Sequence, residues 1–156
     1  MSFDAKPRGL YFDDFEIGLE IITPARTITS TDIVSFACLT GDFNEVDTNF
    51  EYCKITPFGE PIAHGPLIYG IMGGLQYASG VNDGTLIGLL GIDQWRMLSQ
   101  VKHGDTIRVV QKVVEKKETS KLDRGVISFL RQCVNQNGTV VQEMKATLMY
   151  KRRQKA

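Results

Sequence analysis

Residues 61–80, PIAHGPLIYGIMGGLQYASG, are the stretch on which the fold turns. No charged side chain occurs between Glu60 and Asp83. A helix that is apolar around its whole circumference belongs in an interior. Pro66 suits a first helical turn, where a missing N–H costs nothing. The pattern predicts one long helix from Pro61 to about Gly80, buried on all sides. Gly65, Gly70, Gly73 and Gly74 lower its intrinsic propensity, so a close neighbour is expected to press against it. The stretch is short and interrupted for a membrane span.

Four strand-like segments follow: Thr85–Met97, Thr106–Lys116, Gly125–Asn135 and Thr139–Tyr150. Asn137-Gly138 joins the last two and is a strong hairpin signal. The final strand alternates, with Val140, Gln142, Met144, Ala146 and Leu148 on one side. His103-Gly104-Asp105 and Ser120 to Asp123 read as turns. Upstream, residues 1–18 read as an irregular lead-in. Leu19–Thr29 reads as a strand bent or placed at an edge by Pro24. Ser30-Thr31-Asp32 opens a short helix that ends at Gly41. Thr48 or Asn49 can cap another short helix, Phe50–Ile55, before a turn at Thr56-Pro57-Phe58-Gly59. One early strand, one long buried helix and about four antiparallel strands predict an α+β single domain over residues 1–156, a sheet wrapped around a central helix. That is the hotdog arrangement. A single sheet around one helix leaves apolar surface over, which predicts a homodimer.

The chain has 156 residues, with Lys plus Arg equal to Asp plus Glu at 18 each. No global field directs it to nucleic acid or a membrane surface. The basic run Lys151 to Lys155 reads as a solvated tail. Cys38, Cys53 and Cys133 are odd in number and widely spaced, which speaks against a disulfide framework and for a reducing, cytoplasmic setting. With only His64 and His103, no metal site is expected. The N-terminus lacks the architecture of a secretion signal.

The chemistry concentrates between Thr40 and Gly74. A polar turn, Gly41-Asp42-Phe43-Asn44, offers a carboxylate. A second turn at Phe58-Gly59 leads to Ile62-Ala63-His64-Gly65-Pro66, a helix start with free N–H groups. A carboxylate facing an N–H cradle is how a site moves a proton beside a carbonyl.

Gly41-Asp42-Phe43-Asn44 and Phe58-Gly59-Glu60-Pro61-Ile62-Ala63-His64-Gly65 resemble the MaoC-like dehydratases, including the R-specific enoyl-CoA hydratases. Glu118 to Lys121, Arg124-Gly125-Val126 and Val134 to Gly138 extend the likeness over Tyr11–Arg153. The resemblance implies hydration of 2-enoyl-CoA, or dehydration of (R)-3-hydroxyacyl-CoA, in fatty acid metabolism. No cofactor is implied, since CoA arrives with the substrate; an acyl-carrier protein is the other possible carrier. In the family pattern GDxNPxH, Asp and His hold the water and a helix-start N–H takes the thioester oxygen. By position the aspartate is Asp42, the asparagine Asn44 and the N–H donor Gly65. Pro-x-His is here Glu45-Val46-Asp47, so Asp47 stands where the family has its imidazole. Two carboxylates can share the work only if their pKa values are pushed apart.

Each residue also has a plainer reading. Asp42 can cap local N–H groups, Asn44 can brace the loop and Asp47 can cap the helix before Phe50. His64 reads as structural at the helix entrance, with proton transfer as the alternative; Phe58, Gly59, His64 and Pro66 are grouped as substrate-binding. Trp95 and Arg96 read as sheet packing and solvated charge, or as facing a partner or acyl tunnel. Leu67, Ile68, Ile71, Met72 and Leu75 read as core, some lining an acyl pocket. Lys121 and Arg124 are weak candidates for a CoA phosphate. Two rival functions stay open: a non-catalytic acyl-thioester-binding half of a heterodimer, and an acyl-CoA thioesterase.

Overall fold

A computed structural model describes residues 8–153. The first seven residues of the expected lead-in, and residues 154–156 of the expected tail, lie outside the described residues. A single-turn helix, Phe12–Asp14, is followed by β1 (Glu20–Ile22), β2 (Arg26–Thr27), α1 (Ser30–Thr40), α2 (Glu45–Thr48), α3 (Phe50–Cys53), α4 (Gly65–Ser79), β3 (Leu86–Met97), β4 (Thr106–Glu118), β5 (Arg124–Val134) and β6 (Val140–Lys151). The sheet is antiparallel in the order β1-β4-β5-β6-β3, with β2 also on β4. It packs on α4 as the hotdog arrangement requires. Ile68, Met72 and Leu75 of α4 meet Val109, Ile127, Phe129, Met144 and Ala146 in one core. Phe15 closes one end of it, edge-on to Phe129 with ring centroids 5.7 Å apart.

The strand expected over Leu19–Thr29 is two short strands, Glu20–Ile22 and Arg26–Thr27. Pro24 has no N–H for the ladder, and the break falls at that residue. Thr23 bridges the gap by taking the Val109 N–H on its hydroxyl at 2.9 Å. The short helix expected over Phe50–Ile55 is present as Phe50–Cys53, capped by the Asn49 side chain as expected, and an additional helical turn, Glu45–Thr48, precedes it. α1 ends as expected, Gly41 taking the left-handed conformation at φ 79°.

The long helix begins at Gly65, four residues later than expected. Pairing with another segment wins over helix there: Ala63 N–H donates to Val101 C=O at 2.7 Å, and Ile62 bridges Lys102. Nor is α4 buried all round. Pro66, Gly70, Gly73, Gly74, Tyr77 and Ala78 form an exposed stripe. A Cβ built at Gly70, Gly73 or Gly74 would meet nothing within 4 Å, so no part of the described chain presses on those glycines. The opposite face carries the core.

The basic run is also different from a solvated tail. Arg152 reaches Asp13 and Glu118 and lies over the Phe12 ring, while Arg153 pairs with Asp14 over Tyr11. The first described turn and the end of β6 are clasped together.

Candidate active site

Three short segments converge at the start of α4. The loop after α1 carries Asp42 and Asn44, α2 carries Asp47, and the extended run before α4 carries His64. Ile62 N–H donates to Val46 C=O at 3.1 Å, which ties the third segment to the second. Buried Cys53 supports the same turn, its thiol donating to the Glu45 and Val46 carbonyls. Burial first, and then the nearby acid charges, push that thiol up, so it stays protonated.

Asp42 is exposed at the mouth, and Asn44 Nδ2 donates to its Oδ1 at 2.6 Å. Asp47 is 7% exposed and His64 5% exposed. His64 Nε2 lies 2.9 Å from the Asp42 carbonyl and 3.5 Å from Asp47 Oδ2. A carbonyl only accepts, so Nε2 carries a proton. Nδ1 is buried without a hydrogen-bond partner among the described residues. Phe36 stacks against the ring at 5.0 Å between centroids. Burial holds the Asp47 carboxyl above its ordinary value of 3.8; the imidazole opposes that and the Asp42 charge adds to it. Asp47 is thus a member of the cluster suited to keep a proton, while Asp42 stands at the mouth where water reaches it.

A side-chain oxygen of each aspartate and one imidazole nitrogen lie within 4.8 Å of one another, close enough to hold a cation. The donor chemistry suits a shared proton better. Nε2 is committed as a donor, and Nδ1 lacks the outer partner that orients a ligating imidazole.

The Gly65 N–H is at the first helical position, where no intrahelical acceptor exists. A Cβ there would sit 2.5 Å from Met97 Cε and 3.3 Å from its Cγ. Gln142 Nε2 donates to the Gly65 carbonyl at 2.9 Å, and Gln142 Oε1 accepts from Trp95 Nε1 at 3.1 Å. An open pocket of about 280 Å³ adjoins this point, lined by Phe58, Gly65, Ile68, Met97 and Gln142 among others. A longer apolar groove of about 580 Å³ runs between α1 and the exposed side of α4, past Phe36, Leu39, Pro66, Leu67 and Ile71. Gly59 sits at φ 74°, and the Phe58 carbonyl accepts from Lys102 Nζ at 2.6 Å, which fixes that turn beside the pocket.

The structure therefore brings Asp42, Asn44, Asp47, His64 and Gly65 together, with Pro66 and Phe58 at the adjoining cavities. His64, read as structural, is part of the cluster. His103 is exposed as expected, yet its Nδ1 accepts the Ser30 N–H at 2.9 Å and so caps α1. Trp95 packs on Tyr69 at 5.3 Å and braces Gln142; Arg96 is exposed. Arg124 is engaged by its neighbour Asp123 at 2.7 Å, and Lys121 is exposed. Gln142 was not singled out from sequence, nor were Gln76, Gln111 and Arg131 in the core. The available signal was a polar residue on the inward parity of an otherwise apolar strand.

Residues 14–129 match the family model described as MaoC like domain. Protein MaoC of Klebsiella aerogenes is 35% identical over 114 residues, 73% of this chain and 33% of its own length. This chain thus spans about a third of that relative. The (R)-specific enoyl-CoA hydratase of Rhodospirillum rubrum is 30% identical over 143 residues, covering 89% of this chain and 90% of that one. Among solved structures, a monoamine oxidase regulatory protein from Archaeoglobus superposes with a TM-score of 0.84 at 35% identity, covering 94% of this chain and 97% of that one. RV0216 of Mycobacterium tuberculosis, described as a double hotdog fold, gives 0.81 at 17% identity over 95% of this chain and 46% of its own, a likeness of fold alone.

Proposed function

Because the chain belongs to the MaoC-like dehydratase family, we propose that it adds water to 2-enoyl-CoA thioesters, or removes it from (R)-3-hydroxyacyl-CoA thioesters. The observation that carries this reading is the convergence of Asp42, Asp47 and His64 beside the free N–H of Gly65. In the hydration direction the Gly65 N–H polarises the thioester carbonyl and holds the enolate oxygen as it forms. Asp42 takes a proton from water, whose oxygen bonds to the β-carbon. Asp47, protonated because it is buried, returns a proton to the α-carbon. His64 holds the Asp42 backbone through Nε2, and after product leaves the proton gained by Asp42 returns to Asp47, whose carboxyl lies within 4.8 Å. Asp47 does here what an imidazole does in the family pattern, at the cost of needing one carboxyl neutral. CoA comes with the substrate, and no other cofactor enters.

The exposed stripe on α4 and the apolar positions Ile87, Leu89, Leu90 and Met97 on the edge strand β3 support a homodimer in which a second copy covers them. The balanced charge and unpaired cysteines support a cytoplasmic role in acyl-thioester metabolism.

The test is loss of the enoyl-thioester absorbance of crotonyl-CoA. The wild type is expected to consume it, and Asp42→Asn to be slower by about 10²–10⁴-fold with an unchanged melting temperature, since Asp42 is exposed. Equal rates in the two would sink the role of Asp42. Release of free CoA thiol would establish thioester hydrolysis instead. A substrate bound but never converted would favour the heterodimer reading, whose support is the missing imidazole at Asp47.

A further inference from the structure

The core under α4 holds a cation without an anion. Arg131 of β5 is 3% exposed. Its Nε donates to Gln111 Oε1 at 3.2 Å. Turned so that its carbonyl faces the guanidinium, the Gln76 amide accepts from Nη2 at 3.0 Å and Nη1 at 3.2 Å. Among the described residues no carboxylate pairs with it; the other groups acting on it are the Tyr150 and Tyr69 phenols. Tyr150 donates to Asn82 at 2.7 Å, and burial pushes its pKa up, so it is neutral. Burial pushes the Arg131 pKa down as well, yet a guanidinium stays charged in proteins. A full charge among neutral amides is costly, and replacing it with an apolar side chain would relieve that cost. Its retention calls for a partner that arrives from outside.

The sheet register places it near the proposed reaction. Arg131 pairs with Met144, and Cys133 with Gln142. All four point to the core. Gln142, which clamps Gly65, is thus the diagonal neighbour of Arg131, about 7–8 Å away between backbones. α4 passes over both, from Gly65 at one end to Gln76 at the other. Met72 of α4 and Met144, the cross-strand partner of Arg131, are fully buried in the same core. Unbranched methionines reshape around an inserted group more readily than branched side chains.

We propose that Arg131 receives a second carboxylate on the acyl group, so that the substrate is the CoA thioester of a short dicarboxylic acid. This rests on the reading of Gly65 as the thioester-binding N–H. A carboxylate matches the guanidinium fork with two parallel hydrogen bonds. It also supplies the missing charge, with the Gln76 and Gln111 amides holding the guanidinium in place. A plain hydrocarbon tail in the same path would have to lie against a desolvated charge.

The test is calorimetric binding of saturated, unreactive thioesters in matched pairs: adipyl-CoA against hexanoyl-CoA, and glutaryl-CoA against pentanoyl-CoA. At least one dicarboxylic member is expected to bind wild type more than tenfold tighter than its partner. Arg131→Met is expected to erase that preference, the dicarboxylic members losing affinity and the monocarboxylic ones, no longer against a desolvated charge, gaining it; Arg131→Lys is expected to keep part of the preference. Equal affinities within both pairs, or a preference that survives in Arg131→Met, would overturn the proposal. The wild-type comparison decides alone should Arg131→Met fail to fold. Hydration of crotonyl-CoA without any dicarboxylate preference would leave the hydratase reading standing and remove this one. A preference without hydration of the matching enedioyl thioesters would do the reverse.

Discussion

Two polar clusters sit along one helix and have opposite characters. At the start of α4, two carboxylates crowd one imidazole, and one of the carboxyls is held up by burial. Under the far half of α4, a guanidinium lies among neutral amides. The first is built from residues 42–64, close in sequence, around a mouth open to solvent. The second draws on α4, β4 and β5 and is closed. The contrast teaches that unbalanced charge is tolerated in two ways: by sharing a proton where water and substrate reach, and by burying a charge against amides where only a specific ligand would go.

The comparison is sharpened most by Gly65→Ala. Its Cβ would meet the end of the exposed Met97 side chain, which can shift aside, so a small loss of stability is expected together with a rate loss on crotonyl-CoA larger than that loss explains. A rate unchanged in a folded variant would break the assignment of the Gly65 N–H. Next is Gln142→Leu, which strands the Trp95 N–H and removes the side-chain clamp on the Gly65 carbonyl. The expected cost is about 1–3 kcal/mol by denaturant titration, with kcat falling more than KM rises. An unmoved kcat would detach the brace from the site.

Asp47→Asn tests the shared proton. Its folded pKa lies above the ordinary 3.8, so the stability tied to that proton is whole at low pH and is lost as pH rises through the raised pKa. Asparagine escapes that loss. The variant is expected to melt higher than wild type at about pH 8, by roughly 2–4 °C per kcal/mol relieved, with the gap closing toward about pH 4. A gap independent of pH would mean that Asp47 is not held neutral. The smallest effect belongs to a pair away from both clusters. Arg152→Ala cuts the clasp to Asp13 and Glu118, part-exposed and worth about 0.2–1 kcal/mol.

The acidic cluster was legible because its members lie within two short motifs, and because turn and cap chemistry is local. Gly41 ends α1 as read. α4 ends at Gly80 as its pattern predicts, but it starts four residues late and is not covered on all sides. Ala63 pairs with Val101 before the helix can begin, and the glycine stripe faces outward. Neither is visible in a hydrophobic pattern, which records that a face is apolar but not what covers it. His103 was read from its own neighbours, and its bond to Ser30 spans the chain.

Order of elements, the sheet wrapped on an apolar helix, and the Asp42–Gly65 motif followed from residue type and spacing, because propensity, periodicity and turn geometry act over a few residues. The placing of His64 against Asp47 depended on the pairing of Ile62 with Val46 and Lys102, and the brace from Trp95 through Gln142 to Gly65 and the guanidinium of Arg131 beneath Gln76 depended on strand register. Register brings residues far apart in the chain within a few ångströms, and burial there sets which charges are neutralised, which are paired and which wait for a ligand.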